Sequence, residues 1–468
     1  MDKKNFDKPL TELLRQYNEQ PPLAMHMPGH KRNTAMLGNA LPWELDVTEI
    51  PPFDDLHQPA GVLAASQRRA ADLFGSKHAF YLVNGSTCGL LAAIRAAAQG
   101  KKQVIAARNC HQSVFHAIEL CGAMPHLVEP TFEAQFGVFG SVTPAAIERA
   151  LSQCPDASAV VLTSPTYAGV VSDIAAISAL CKTHGAALIV DEAHGAHLPF
   201  SDFFPESAVA LGADCVIQSL HKTLPSLTQT AILHVCSDAI SRGEIARQLR
   251  IFQSSSPSYV LLSAIDYCVR ALETQGGAWF AAYANRLREF YVKAAALRHI
   301  KLLRENPRFF ARDPSKLVLS APGLSGAALA EKLLALGVQC EMAGAGYALL
   351  MSSVCDTDDT MRALLEALTR LDGTLRARDS HLHRCAPAAQ QILPPLLALS
   401  RESKLQETAL CVGEIAAEYL WAYPPGIPWL LPGQRITQAL VDSIVQADGV
   451  RLYSSSGAAP EKIRIDAG

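Results

Sequence analysis

No C-x-x-C pair, no apolar run approaching 18 residues, no basic stripe and no internal repeat occurs in the chain. Each absence removes a class of protein. The twelve cysteines, among them Cys88, Cys110, Cys121, Cys154 and Cys181, are too widely spaced for a zinc site or a thioredoxin motif. Free thiols without a disulfide framework point to a reducing, cytoplasmic setting. Without a long apolar run no helix is expected to span a membrane. A formal net charge of −3 offers no electrostatic attraction to nucleic acid or to an anionic membrane surface. The start, "MDKKNFDKPLTELLRQ", is charged and amphipathic and lacks the apolar centre of a signal peptide.

What is present suits a packed globular enzyme. The 468 residues are 49% apolar and 18% charged, and that length favours about three domains of ~150 residues. Residues 1–60 are loop-rich, with "MPGHKRN" and "EIPPFDDLHQPAG" as breakers, and are read as an N-terminal arm. Over 61–265, helical stretches ("GLLAAIRAAAQG", "DIAAISALCKTHG") alternate with β-rich runs ("QVIAAR", "AVVLTS", "AALIVDEA", "CVIQSL"). That alternation predicts an α/β domain on a mostly parallel sheet, with strands covered on both faces. Residues 266–375 read as a small α+β domain opened by a long helix with a Gly-Gly break. Residues 376–468 read as a C-terminal α+β domain, reached through a linker over 375–395.

Three pieces of the large domain carry chemistry. In "LIVDEAHGAH" a β-run ends in Asp191, placing a carboxylate at the strand edge where open α/β sheets bind ligands. In "VNGSTCGLLAAIRAAA", Gly85, Ser86 and Thr87 open a helix whose exposed N–H groups and dipole suit a phosphate. In "QSLHKTLPSLTQTA", Lys222 follows another β-run, 31 residues after Asp191. Each alone has a plain explanation: a cap, a surface acid, a solvated lysine. Together, a phosphate cradle, a strand-end aspartate and a strand-end lysine specify pyridoxal 5′-phosphate. Lys222 would form the Schiff base, Asp191 would pair with the pyridinium nitrogen, and Ser219 and His221 would reach the phosphate.

These residues lie within a longer series of motifs: "MPGHK" (27–31), "DVTEI…FDDLHQPAG" (46–61), "NGST" (84–87), "DEAHGAH" (191–197), "SLHKTLPSLTQTA" (219–231), "SSSPSY" (254–259) and "YPPGIP" (423–428). In that order they resemble the bacterial Orn/Lys/Arg decarboxylases among the fold-type I pyridoxal phosphate enzymes, and within them the short, wingless type. The resemblance implies a cytoplasmic decarboxylase that turns lysine, arginine or ornithine into a di- or polyamine and carbon dioxide, with no metal. It implies that His111 stacks on one face of the pyridine ring, Ala193 packs on the other, His194 sits near the ring hydroxyl and Ser164 approaches the same edge. It also implies a homodimer, or a higher assembly of such dimers, in which Ser254 or Ser255 reaches the neighbouring subunit's phosphate. Lys222 or His221 would return a proton to the α-carbon.

The chain departs from the family pattern at Arg32-Asn33, at Pro52 and, most consequentially, at Gln434 in "LLPGQ", where the family has a glutamate that reads the distal cation. An amide is a weaker partner for a cation than a carboxylate. Asp54, Asp55 and Glu418 are the other acids weighed for that task, and Trp421 and Trp429 are candidate pocket walls. A pyridoxal phosphate enzyme acting on a non-basic amino acid, with Arg464 as a carboxylate clamp in an aminotransferase, is the competing reading; a catalytically silent homologue is the third.

Overall fold

The apolar runs without alternation become the strands of one large sheet. A computed structural model describes residues 7–19, 27–28, 30–100, 102–376, 383, 389–422, 426–446 and 451–468. The sheet has seven strands: β1 (His78–Leu82), β2 (Gln103–Ala107), β3 (Met124–Val128), β4 (Ala159–Thr163), β5 (Ala187–Asp191), β6 (Cys215–Ser219) and β7 (Ala231–Val235). Their order is β1-β7-β6-β5-β4-β2-β3. The pairs from β6 through β3 are parallel, whereas β7 runs antiparallel to both β1 and β6. Strands β4, β5, β6 and β7 are buried along almost their whole length, as a sheet covered on both faces requires.

Helix α1 (Gly85–Ala97) follows β1 and packs on the sheet, and α2 (Gln112–Leu120) follows β2. A one-turn helix, α3 (Leu220–Thr223), continues directly from β6. Helix α4 (Tyr259–Ala294) runs 36 residues without interruption. The expected break at Gly276-Gly277 does not occur, and the domain boundary expected at 265 falls inside this helix. Gly276 is buried against Phe200 and Leu272, and Gly277 is exposed with open space around it. The packing of α4 against the second core, which includes Tyr259, Leu262, Phe280, Tyr283 and Leu287, outweighs the modest cost of glycine in a helix.

Beyond α4, a four-stranded antiparallel sheet is built on Lys316–Ser320 and Ala348–Met351, and smaller sheets form from 403 onward. Most of the expected linker 375–395 lies outside the described residues, as do Gly29 of "MPGHK" and residues 423–425 of "YPPGIP". Helix Leu10–Glu19 buries Leu10 and Leu14, and Asp266 on α4 accepts from the Leu10 amide at 2.9 Å, so part of the N-terminal arm docks on the second core. Among the described residues no helix is long and apolar enough to cross a membrane, and the eleven described cysteines are free thiols.

Gly89 sets the seat of α1. A Cβ there would stand 2.6 Å from Leu82 Cδ1 and 3.1 Å from Ile217 Cγ2. Gly89→Val should lift α1 off the sheet and destabilise the protein by about 1–3 kcal/mol in chemical denaturation. Gly277→Ala, with open space around its Cβ, should instead stabilise it by about 0.5–1 kcal/mol.

Candidate active site

The C-terminal ends of the strands open onto one cavity of about 720 Å³. Residues from five strand ends line it: Ser86 after β1, His111 after β2, Thr163 on β4, Asp191 on β5, and Ser219 with Lys222 on β6 and α3. The parallel strands all deliver their last residues to this edge, which is why pieces far apart in sequence meet here.

At one side lies an anion cradle. Helix α1 begins at Gly85, whose φ of +73° turns the chain sharply into the first turn. No side chain caps the helix. The Asn84 Oδ1 at the cap position accepts instead from the Ser254 amide at 3.1 Å. The Ser219 hydroxyl is buried with no hydrogen-bond partner among the described residues. An uncapped helix start, with Ser86 and Thr87 on the cavity wall, and an orphaned hydroxyl fit a phosphate. His221 lines the same cavity, and its Nδ1–H donates to the Thr230 carbonyl at 2.9 Å.

Asp191 and Lys222 form the charged centre. Asp191 is buried, accepts from the Ala193 amide at 3.2 Å, and has its carboxyl pushed up by desolvation, offset by the Lys222 charge. Burial lowers the Lys222 ammonium from its usual range, while Asp191 and Glu341 hold it up. Lys222 Nζ meets His194 Nε2 at 3.0 Å and lies 5.4 Å from the centre of the Tyr167 ring. His194 is held far below the usual imidazole range, by burial first and then by the Lys222 and Lys316 charges. The neutral ring carries one N–H and one lone pair, and Nε2 is the nitrogen that meets the lysine. A lysine lowered by desolvation is a better nucleophile at neutral pH than a solvated one.

His111 caps α2. Its Nδ1 accepts from the Ser113 amide at 3.2 Å and contacts the Ser113 hydroxyl at 2.9 Å, which fixes the ring at the cavity wall. Burial and the Lys222 charge lower it to about 4. Ala193 and His194 line the cavity beside Asp191.

Several expected residues lie elsewhere. Ser164 is off the wall: it is buried, its Oγ accepts from the Ser172 amide at 3.2 Å, and its neighbours Thr163, Thr166 and Tyr167 line the cavity instead. Gln434 is buried away from the cavity; its Oε1 accepts from the Leu431 amide at 2.9 Å and its Nε2 donates to the Ala389 carbonyl at 3.3 Å. Glu418 is likewise buried, accepting from the Arg464 amide at 2.5 Å and from the Ser454 hydroxyl. Arg464 lies on the strand Lys462–Asp466 and donates to Ser403 Oγ at 3.3 Å, off the cavity wall. Asp54 accepts from the amides of Ala60, Gly61 and Leu63, and Asp55 from the His57 amide at 2.7 Å. Of the two tryptophans, Trp429 lines the cavity, whereas Trp421 stacks on Tyr419 at 4.6 Å. Ser254 and Ser255 are exposed beside the start of α1.

The sequence reading passed over Asn109, whose buried Oδ1 has no partner among the described residues, and Arg108, Tyr347, His383 and Arg451 on the same wall. Asn109 stands two residues before His111 in the same strand-end loop, a position that should have drawn notice.

The sequence profile of the Orn/Lys/Arg decarboxylase major domain matches residues 8–306. The chain belongs to the Orn/Lys/Arg decarboxylase family. It is 32% identical to the "Uncharacterized protein YaaO" of Bacillus subtilis (strain 168), with 94% of each chain covered. It is 30% identical to the "Arginine decarboxylase" of the same organism, covering 94% of this chain and 93% of the relative. Among solved structures, the constitutive lysine decarboxylase of E. coli superposes with a TM-score of 0.81 at 18% identity, over 99% of this chain and 82% of that one. The fold is that of the fold-type I pyridoxal phosphate enzymes, and this family member is an amino acid decarboxylase.

The buried imidazole of His111 gives a pH signature. With a folded pKa of about 4 against 6.5 when exposed, the unfolded state binds more protons between those values. The stability tied to neutral His111 is therefore complete above pH 6.5 and is lost as pH falls toward 4. In the cofactor-free protein, the thermal-midpoint gap between wild type and His111→Asn should narrow on acidification across that window; a widening gap would contradict this.

Proposed function

We propose that the cavity holds pyridoxal 5′-phosphate and that the enzyme decarboxylates a basic amino acid, with arginine the first candidate, releasing carbon dioxide and a di- or polyamine. The observation that carries the reading is the meeting of a desolvated Lys222, a buried Asp191 and an uncapped helix start in one cavity. Arginine comes first because relatives at about 30% identity bear that name.

The residues divide the work. Ser86 and Thr87, with Ser219 and His221, would hold the phosphate. Asp191 would keep the ring nitrogen protonated, since an adjacent anion stabilises the cation. His111 and Ala193 would flank the ring, and His194 would face its hydroxyl. Bound there through Lys222, the cofactor supplies an electron sink for the pair left as the carboxylate departs. Neutral His194, whose Nε2 meets Lys222 Nζ at 3.0 Å, would orient its amine. Lys222 would be the group to return a proton to the α-carbon; His221, whose Nδ1–H is spent on the Thr230 carbonyl, presents a lone pair at Nε2 and could give a proton there only as the imidazolium.

A homodimer with shared sites belongs to this reading. His57 meets the Ser254 carbonyl at 2.8 Å and also donates its amide to Asp55. Asp55 and the Ser254–Ser255 loop thus form one surface, off their own cavity and suited to complete a partner's. Among the described residues Asp191 is the one carboxylate on the cavity wall, so an acid for the distal cation would come with that surface. The same observation, with Gln434 turned away, favours a second reading in which the substrate side chain is neutral.

The test is carbon dioxide and amine formation by the protein with added pyridoxal phosphate, over arginine, lysine, ornithine and a set of neutral amino acids. Basic substrates should dominate, and Lys222→Ala should abolish turnover. Turnover confined to neutral amino acids, or keto acid in place of carbon dioxide, would overturn the proposal.

A further inference from the structure

Beneath the loop that carries His194 sits a lysine with no exposure at all. Lys316 opens the strand Lys316–Ser320 of the second sheet, and its side chain is 0% exposed, as is that of Asp313. Its ammonium has three donors, and each finds an acceptor: Asp313 Oδ2 at 2.8 Å, Ser315 Oγ at 3.0 Å and the His194 carbonyl at 3.1 Å. The other Asp313 oxygen contacts His197 Nε2 at 3.3 Å and accepts from the Ser315 amide at 2.9 Å.

Such a buried pair is a poor device for stability, because desolvation offsets most of the attraction. A well-packed apolar pair would hold two elements together as well. What the ammonium does that an apolar side chain cannot is bind one particular carbonyl at a fixed point. That carbonyl belongs to His194, whose Nε2 stands 3.0 Å from Lys222.

A second loop packs on the same Asp313–Lys316 segment. Gly169 has φ +83°, and a Cβ there would stand 2.8 Å from the Asp313 carbonyl and 3.0 Å from Lys316 Cγ. The Asp313 amide donates to the Gly169 carbonyl at 2.7 Å. Two residues before Gly169, the Tyr167 ring packs 4.0 Å from the His194 ring and lies under Lys222.

We propose that Lys316, clamped by Asp313 and Ser315, is a positioning residue that fixes His194 and Tyr167 against Lys222 and so sets the geometry of the cofactor-bearing lysine. The clamp joins the strand Lys316–Ser320 to the two loops of the large sheet that meet at the reacting amine. Lys316 does not line the cavity, so it acts through His194. The charged and titratable groups facing His194 are Lys222, Lys316, His111 and Asp313, and those facing Lys222 are Asp191, Glu341 and Lys316. The inference rests on the pyridoxal phosphate reading above.

The test uses the cofactor-loaded enzyme and compares wild type, Lys316→Met and Lys316→Met/Asp313→Leu. The single variant strands the Asp313 charge and should unfold more easily. The double variant removes both charges and should recover most of the thermal midpoint, as apolar replacement of a buried pair commonly does. If Lys316 positions the site, the double variant still shows a kcat lower by roughly tenfold to a hundredfold, the scale of a misplaced reacting group. The pH titration of the bound cofactor's visible absorbance also shifts, which loss of stability alone would not cause. A double variant with wild-type midpoint, kcat and titration overturns the inference while leaving the function standing. A wild-type protein that takes up no pyridoxal phosphate overturns both. Ser315→Ala, which removes one of the three acceptors and keeps the ion pair, decides the matter if the double variant does not fold: a lowered kcat with a displaced titration supports the clamp, and unchanged values refute it.

Discussion

An acid and an ammonium withdrawn from water onto neighbouring strand ends set the terms for this site. Asp191 and Lys222 each suffer desolvation, and each is the other's leading electrostatic compensation. The surroundings follow from that constraint. The sheet must be covered on both faces to keep the centre dry, and its strands must end together to bring the two groups onto one wall. The neighbouring imidazoles must be neutral, since a charged His194 or His111 beside Lys222 would oppose the lysine's own charge.

The anion cradle depends on the same edge. Helix α1 can offer its first turn only because Asn84 is turned toward Ser254 and Gly89 lets the helix lie close on β1 and β6. Behind the sheet, Glu192 follows Asp191 and accepts from Gln218 and Ser207 at 2.6 and 2.7 Å. Its carboxyl is pushed up to about 7 by burial. Two adjacent acids thus serve opposite faces, one turned to the cavity and one absorbed by side-chain amide and hydroxyl donors.

The parts legible in the sequence were those governed by local rules. Uninterrupted apolar runs gave β2, β4, β5 and β6, and the residues ending β5 and β6 are Asp191 and Ser219. Strand β7 was harder to see, because "AILHV" carries a histidine whose pairing is tertiary: His234 reaches Gln218 and Ser76 at 3.1 and 3.0 Å. Ser164 turns off the wall because the chain leaves the strand after Thr163 and the serine accepts from the Ser172 amide. Gln434 looked like a substrate contact by its place in a motif, yet its amide is consumed by the backbone at 431 and 389. Tyr347, His383 and Lys316 reach the site or its supports from remote segments, and no local pattern signals that convergence. Gly276 and Gly277 show the converse, a local break signal overridden by the packing of a long helix.

The account turns on Asp191 as the anion that makes the cofactor ring an electron sink. The most direct measurement is the turnover of Asp191→Asn with its cofactor load checked by borohydride reduction and peptide mapping. The account predicts a folded protein that still carries the pyridoxyl group on Lys222 but is slower by roughly 10²-fold or more, the scale of losing one preorganised electrostatic partner. Near-normal turnover in that variant, or a pyridoxyl group on a lysine other than Lys222, would contradict it.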